Sequence, residues 1–209
     1  MLKRDNFIGF ILLCVFVLFA FGCTFHDTSL KIYENRAIGR KPLNTAIILP
    51  LQCERLLVSE KMVLNENLIN AFFTKNKGIK LVIPKSFTIF LKDKGMEKKH
   101  TEFIKSYKIS GIFDSSFLLN LKKELKADAV LLREVKEIIQ KDGIMINEEP
   151  VFTSVIIKYS LISTVDGKIL WEARSKAIVR NPLNIARAPK VMDAMLIAQR
   201  KLLKALPVF

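Results

Sequence analysis

VIIKYSLISTVDGKILWEA, running from Val155 to Ala173, decides the fold. Its first half continues a β-branched run that opens at Val151. Val151, Thr153, Val155, Ile157, Tyr159 and Leu161 share one parity, the period-2 pattern of a strand with a buried face. Asp166-Gly167 follows, a pair that accepts the positive φ values of a two-residue hairpin turn. Lys168 to Val179 then reads as the return strand, with Trp171 and Glu172 at its centre. Trp171 is expected in the core, between the sheet and a helix. Upstream, Val130 to Ile139 is a further strand, and Lys141-Asp142-Gly143 a further hairpin turn. Three consecutive antiparallel strands result.

Working outward, the pattern changes. Thr45 to Pro50 (TAIILP) is short, fully apolar and stopped by proline, as a buried central strand would be. Ser59 to Lys75 places Met62, Leu64, Leu68, Ile69, Phe72 and Phe73 near helical spacing, with Ser59 as the N-cap and Gly78 closing the end. Lys80 to Pro84 (KLVIP) is a second short strand. Lys85 to Ile112 reads as a helix-containing connection. Asp114-Ser115-Ser116 opens a helix over Phe117 to Leu125, and Lys122, Lys123 and Lys126 complement its C-terminal dipole. Asp128 then reads as a turn residue leading into the next strand, not as an acid catalyst. Beyond Pro189, Lys190 to Leu206 is amphipathic, with Val191, Met195, Ala198, Leu202 and Leu206 on one face. The order β-α-β-α-β-β-β-α predicts an α/β domain, a mixed parallel and antiparallel sheet covered by helices.

The N-terminus has a different character. Lys3 and Arg4 precede an apolar run from Phe7 to Phe21. A membrane-spanning helix needs about 20 apolar residues. This run is shorter and fits the apolar region of a signal peptide. It ends in Ala20-Phe21-Gly22-Cys23, followed by polar sequence. The expected organisation is a signal peptide over 1–22, a polar tether over 23–44 and one α/β domain over 45–209. An uncleaved signal anchor is the alternative reading of the leader. Of the 3 cysteines, Cys14 leaves with the leader and Cys23 stands at its end. Cys53 is then a lone thiol, expected to be part-buried at a strand end, with no intramolecular partner.

Composition narrows the function. The 209 residues include 34 Lys+Arg and 20 Asp+Glu, a net charge of +14. Half of them are apolar, and this excludes a wholly disordered chain. Only 2 histidines are present, His26 and His100, so a His/Cys metal cluster has almost no raw material. The sequence contains no nucleophile elbow, P-loop, dinucleotide fingerprint, zincin motif or Cys-x-x-Cys. Glu148-Glu149, before Pro150, reads as a solvated turn and not as paired catalytic carboxylates. The expectation is a non-enzymatic chain without catalytic residues, metal or cofactor. Its positive charge suits anionic lipid head groups or acidic wall polymers. A dispersed, solubilising surface accounts for the same charge. Nucleic acid is not an expected partner, because no Arg/aromatic interleaving appears.

Two resemblances add to this. Ala20-Phe21-Gly22-Cys23 resembles the lipobox of bacterial lipoproteins, with Ala20 where leucine is usual. It implies acylation of Cys23, and Thr24 implies release to the outer membrane, facing the periplasm. The early TAIILP strand, LKKELKADAVLLREV (Leu121 to Val135) and the Val155 to Ala173 hairpin resemble a group of envelope lipoproteins. That group includes the curli-secretion protein CsgG and the penicillin-binding-protein activator LpoB, with a domain like the N-terminal domain of TolB. The resemblance implies a lipid-anchored module that binds another envelope protein or assembles with its own copies. The alternative is a subunit of a CsgG-like outer-membrane secretion complex. A pore needs alternating strands of about 9–11 residues. Phe87 to Leu91 is too short for one, and Lys92 to His100 is too charged.

Overall fold

A computed structural model describes residues 25–34, 43–143, 151–181 and 187–208. The leader, Cys23 and Glu148-Glu149 lie outside the described residues. Six strands form one sheet: β1 (Phe25–Glu34), β2 (Thr45–Ile48), β3 (Lys80–Val82), β4 (Ala129–Lys141), β5 (Phe152–Ser163) and β6 (Ile169–Arg180). Their order across the sheet is β1-β6-β5-β4-β2-β3. β2 runs parallel to both β3 and β4, and the other pairs are antiparallel. Among the described residues five helices cover it: α1 (Val58–Lys75), α2 (Pro84–Asp93), α3 (Glu97–Ser110), α4 (Ser115–Leu125) and α5 (Val191–Lys204).

The mixed α/β sheet is the expected class, with two differences. Phe25–Glu34, within the stretch read as a tether, is an edge strand paired in register with β6. The connection over Lys85 to Ile112 is two helices, α2 and α3, joined at Lys94-Gly95-Met96. Pro84 starts α2 because its missing N–H costs nothing in a first turn.

The sheet separates two cores. On one face, Leu64, Leu68 and Phe72 of α1 and Met195, Ala198 and Leu202 of α5 pack on Val155, Ile157, Tyr159, Leu161 and Trp171. On the other, Phe87, Leu91, Phe103, Phe117 and Leu121 of α2 to α4 pack on Ile47, Leu49, Val130, Leu132 and Ile162. The parity expected from sequence is the parity observed over the middle of β5, where Val155, Ile157, Tyr159 and Leu161 all face the first core. A bulge between Val135 and Glu137 re-phases β4. Val135 and Ile138 therefore both reach the first core, although their spacing has the wrong parity for one face of a regular strand.

Three local expectations change. Ser59 is not the cap of α1. The helix starts at Val58, and the Glu60 carboxylate accepts the Leu57 N–H at 2.8 Å. The β5–β6 turn is longer than the Asp166-Gly167 pair: it spans Thr164 to Gly167, with Gly167 at φ +67°. The Thr164 hydroxyl donates to Ala127 O at 2.6 Å, and its N–H donates to Asp128 O at 3.0 Å, so the chain is held open there. Asp128 itself does more than turn the chain. Its carboxylate accepts the Asn44 and Thr45 N–H groups at 2.8 and 3.1 Å, fixing the start of β2 against β4.

The far end of β2 is fixed by Arg133. Pro50 has no N–H to continue a ladder, and the Leu49 carbonyl turns instead to the Arg133 side chain. Nε and Nη2 donate to it at 3.1 and 2.8 Å, although Arg133 is only 1% exposed. Burial pulls this guanidinium below its ordinary range, and the Tyr159 hydroxyl beside it acts in the opposite direction.

Two stability tests follow from this packing. Trp171 is 1% exposed, so Trp171→Ala is expected to destabilise the fold by about 3–5 kcal/mol in urea unfolding. Asp128→Ala strands two backbone donors and should cost about 1–3 kcal/mol. Asp128→Asn, which keeps one acceptor oxygen, should cost less. Equal losses in the two Asp128 variants would show that the carboxylate does not hold β2.

Candidate functional site

A concavity lies where α3 crosses the outer half of β4. Ile104, Tyr107 and Lys108 form one wall, and Gln52, Glu134 and Lys136 form the other, around about 180 Å³. Gln52 reaches this wall because it bridges to Glu134 in parallel beyond the end of β2. A second, more open recess of about 480 Å³ adjoins it along α3, past Lys105 and Thr101. His100 lines that recess with its ring edge-on to Phe87, and burial lowers its pKa so that it stays neutral.

Lys158 ties two of these lining residues together. β5 is apolar on both sides of this residue, and yet its ammonium points to the helix face of the sheet. Nζ lies 2.6 Å from Tyr107 Oη, 3.1 Å from Glu134 and 3.2 Å from Glu172. Lys136 holds the other oxygen of Glu134 at 2.7 Å, and the Ser160 hydroxyl donates to Glu172 at 2.8 Å. The ammonium also sits 5.2 Å from the Tyr107 ring centroid. Burial works against the charge, but the Tyr107 hydroxyl and the Glu134 carboxylate overcome it and raise the Lys158 pKa. A lysine held protonated between a hydroxyl and two carboxylates has no lone pair for nucleophilic attack. The arrangement joins α3 to β4, β5 and β6 electrostatically. It also leaves Lys105 and Lys108 on the rim as positive charges facing solvent.

The residues singled out from sequence are spread apart. Trp171 is in the opposite core, Cys53 is a half-buried free thiol and His26 is exposed on β1. Among the described residues no group of His, Cys, Asp and Glu could hold a metal ion. Sequence reading missed the Lys158, Glu134, Glu172 and Tyr107 network. The visible signal was one lysine inside VIIKYSLIS, at the parity opposite to the apolar face.

Lys158→Met is expected to destabilise the fold by about 3 kcal/mol, because Glu134 and Glu172 lose their shared cation. A pKa raised in the folded state adds stability that is complete below the unfolded value and lost as pH rises through the folded one. The Lys158 contribution to the difference between wild type and variant should therefore stay constant through neutral pH and fall away in strong alkali. Urea titrations at several pH values check this.

No family model matches the chain, and no curated protein matches it. Solved structures give similar folds at low identity. The chain is similar to the PelC dodecamer from Paraburkholderia phytofirmans, with 13% identity and a TM-score of 0.48 over 88% of this chain and 99% of that one. It is also similar to the lipoprotein GNA1162 from Neisseria meningitidis, with 17% identity and a TM-score of 0.40 over 78% of this chain and 99% of that one.

Proposed function

We propose that this chain is a lipid-anchored, non-enzymatic module of a bacterial cell envelope that works by assembling with protein. The run from Lys3 to Cys23 carries the reading: basic residues, a short apolar segment and a cysteine where polar sequence begins. Acyl chains on Cys23 would supply the membrane attachment, each buried CH₂ adding about 0.8 kcal/mol. The outer-membrane face toward the periplasm is the proposed location, and the CsgG, LpoB and TolB-like grouping the proposed kinship. Two features support a binding role. Lys158 and its carboxylates are committed to one another, and β1 presents a long exposed edge. The rim lysines suit an anionic lipid or wall polymer as a secondary contact.

The secretion-pore alternative has less support. Pro84–Asp93 and Glu97–Ser110 are helices, and their buried Phe87, Leu91, Phe103 and Tyr107 fill the second core. Unfolding them into a membrane hairpin would empty that core.

The experiment is metabolic labelling with a palmitate analogue, followed by fractionation in high salt. The wild-type chain should be labelled and should sediment with membranes. Cys23→Ala should lose the label, retain its leader and leave the folded domain unchanged. Undiminished labelling of Cys23→Ala would overturn the anchor. Conductance steps in planar bilayers would favour the pore instead.

A further inference from the structure

Among the described residues β1 pairs with β6 alone, so its other edge meets solvent along the strand. The strand is unusually bare. His26, Asp27 and every residue from Ser29 to Glu34 are exposed, with Ile32 at 53% and Tyr33 at 55%. Natural edges are blunted by shortness, bulges, proline or charge; β1 has no register shift and no proline, and its charges are Asp27, Lys31 and Glu34. The opposite edge, β3, has only 3 residues.

The charges on β1 are unbalanced in a particular way. Asp27 pairs with Arg180 on β6. Lys31 stands directly opposite Arg174, a like-charge pair, and no carboxylate among the described residues pairs with either. An antiparallel partner strand carrying an aspartate across from Lys31 would resolve the repulsion. β1 itself is such a strand. When two copies pair about a two-fold axis at Ser29, Asp27 of each lies opposite Lys31 of the other. Thr28 then faces Leu30, and His26 faces Ile32. Centring the pair on Leu30 would set Lys31 opposite Ser29 and leave the repulsion uncompensated. Centring it on Lys31 would oppose two lysines.

We infer that β1 is an isologous interface, through which two copies of this chain join edge to edge, antiparallel and centred on Ser29. The contact closes on itself: it uses both long edges and leaves only the two short β3 edges, so the pair does not grow into a fibre. This deepens the assembly reading above and rests on that reading only in naming protein as the partner. The pairing itself needs no acylation.

The test uses the full-length chain with Cys53→Ser, in membranes under mild oxidation. Ser29→Cys should give a disulfide-linked dimer on a non-reducing gel, and Leu30→Cys should give at least tenfold less. Lys31→Asp places two aspartates across the seam and should abolish the Ser29→Cys crosslink. Adding Asp27→Lys to it should restore the crosslink. Absence of the Ser29 crosslink, or a stronger one at Leu30, overturns the inference, as does failure of the charge swap to restore it. Thermal melts confirm that each variant is folded. Acylation of Cys23 is measured on the same samples. A labelled chain without a crosslink rejects the pairing alone, and a crosslinked chain without label rejects the anchor alone.

Discussion

The architecture depends on how β2 is held. It is a 4-residue strand, too short to rely on its own ladder. Two side chains of β4 and its approach bracket it, Asp128 at the N–H groups that begin it and Arg133 at the carbonyl that ends it. Between them, Asp128 N–H donates to Thr45 O at 2.8 Å and Leu49 N–H to Leu131 O at 3.1 Å. Among the described residues β2 alone joins β3 to the antiparallel strands, and Ile47 and Leu49 carry the floor of the second core. Loosening the bracket would detach α2, α3 and α4 together. A buried arginine is a costly way to terminate a strand, because its desolvation must be offset by well-made hydrogen bonds. Two of its donors share one carbonyl, and the geometry is fixed by the rigid guanidinium plane.

The two faces of the sheet are stabilised differently. The α1 and α5 face is mostly apolar, but it also buries Arg133 beside Tyr159, whose hydroxyl accepts from Gln199 Nε2 at 3.0 Å. The α3 face is apolar over β2 and the first part of β4, then becomes ionic around Lys158. That change of character coincides with the bulge in β4.

Elements with strong periodicity were legible in the sequence, and those whose pattern arises only in three dimensions were not. β5 and α5 showed their faces because each has one buried side and regular spacing. Trp171 was placed in the core for the same reason. β1 was not legible: both its faces are solvated, so no alternation distinguishes His26-Asp27-Thr28-Ser29 from a linker. α2 and α3 were obscured because lysines dominate their exposed sides and each contributes only two or three core residues. The ionic network joins residues from three strands and a helix, separated by up to 65 positions between Tyr107 and Glu172, and no local motif encodes it.

The bulge at Val135 to Glu137 means that β4 counts residues differently on its two sides. Up to Val135 the odd positions look toward α1 and α5, and from Ile138 onward the even positions do. Chain length is therefore part of the information in this strand, separate from residue identity. Exchanging Lys136 for another residue alters one side chain. Removing it would close the bulge and leave Val135, Glu137 and Ile138 in regular alternation, with Ile138 still opposite Val155 and facing the core, at the loss of the bend the extra residue gives the strand. An insertion or deletion beyond Glu137 would instead move every later side chain of β4 to the opposite face, so the register against β5 tolerates the loss of this one residue and not of those that follow it.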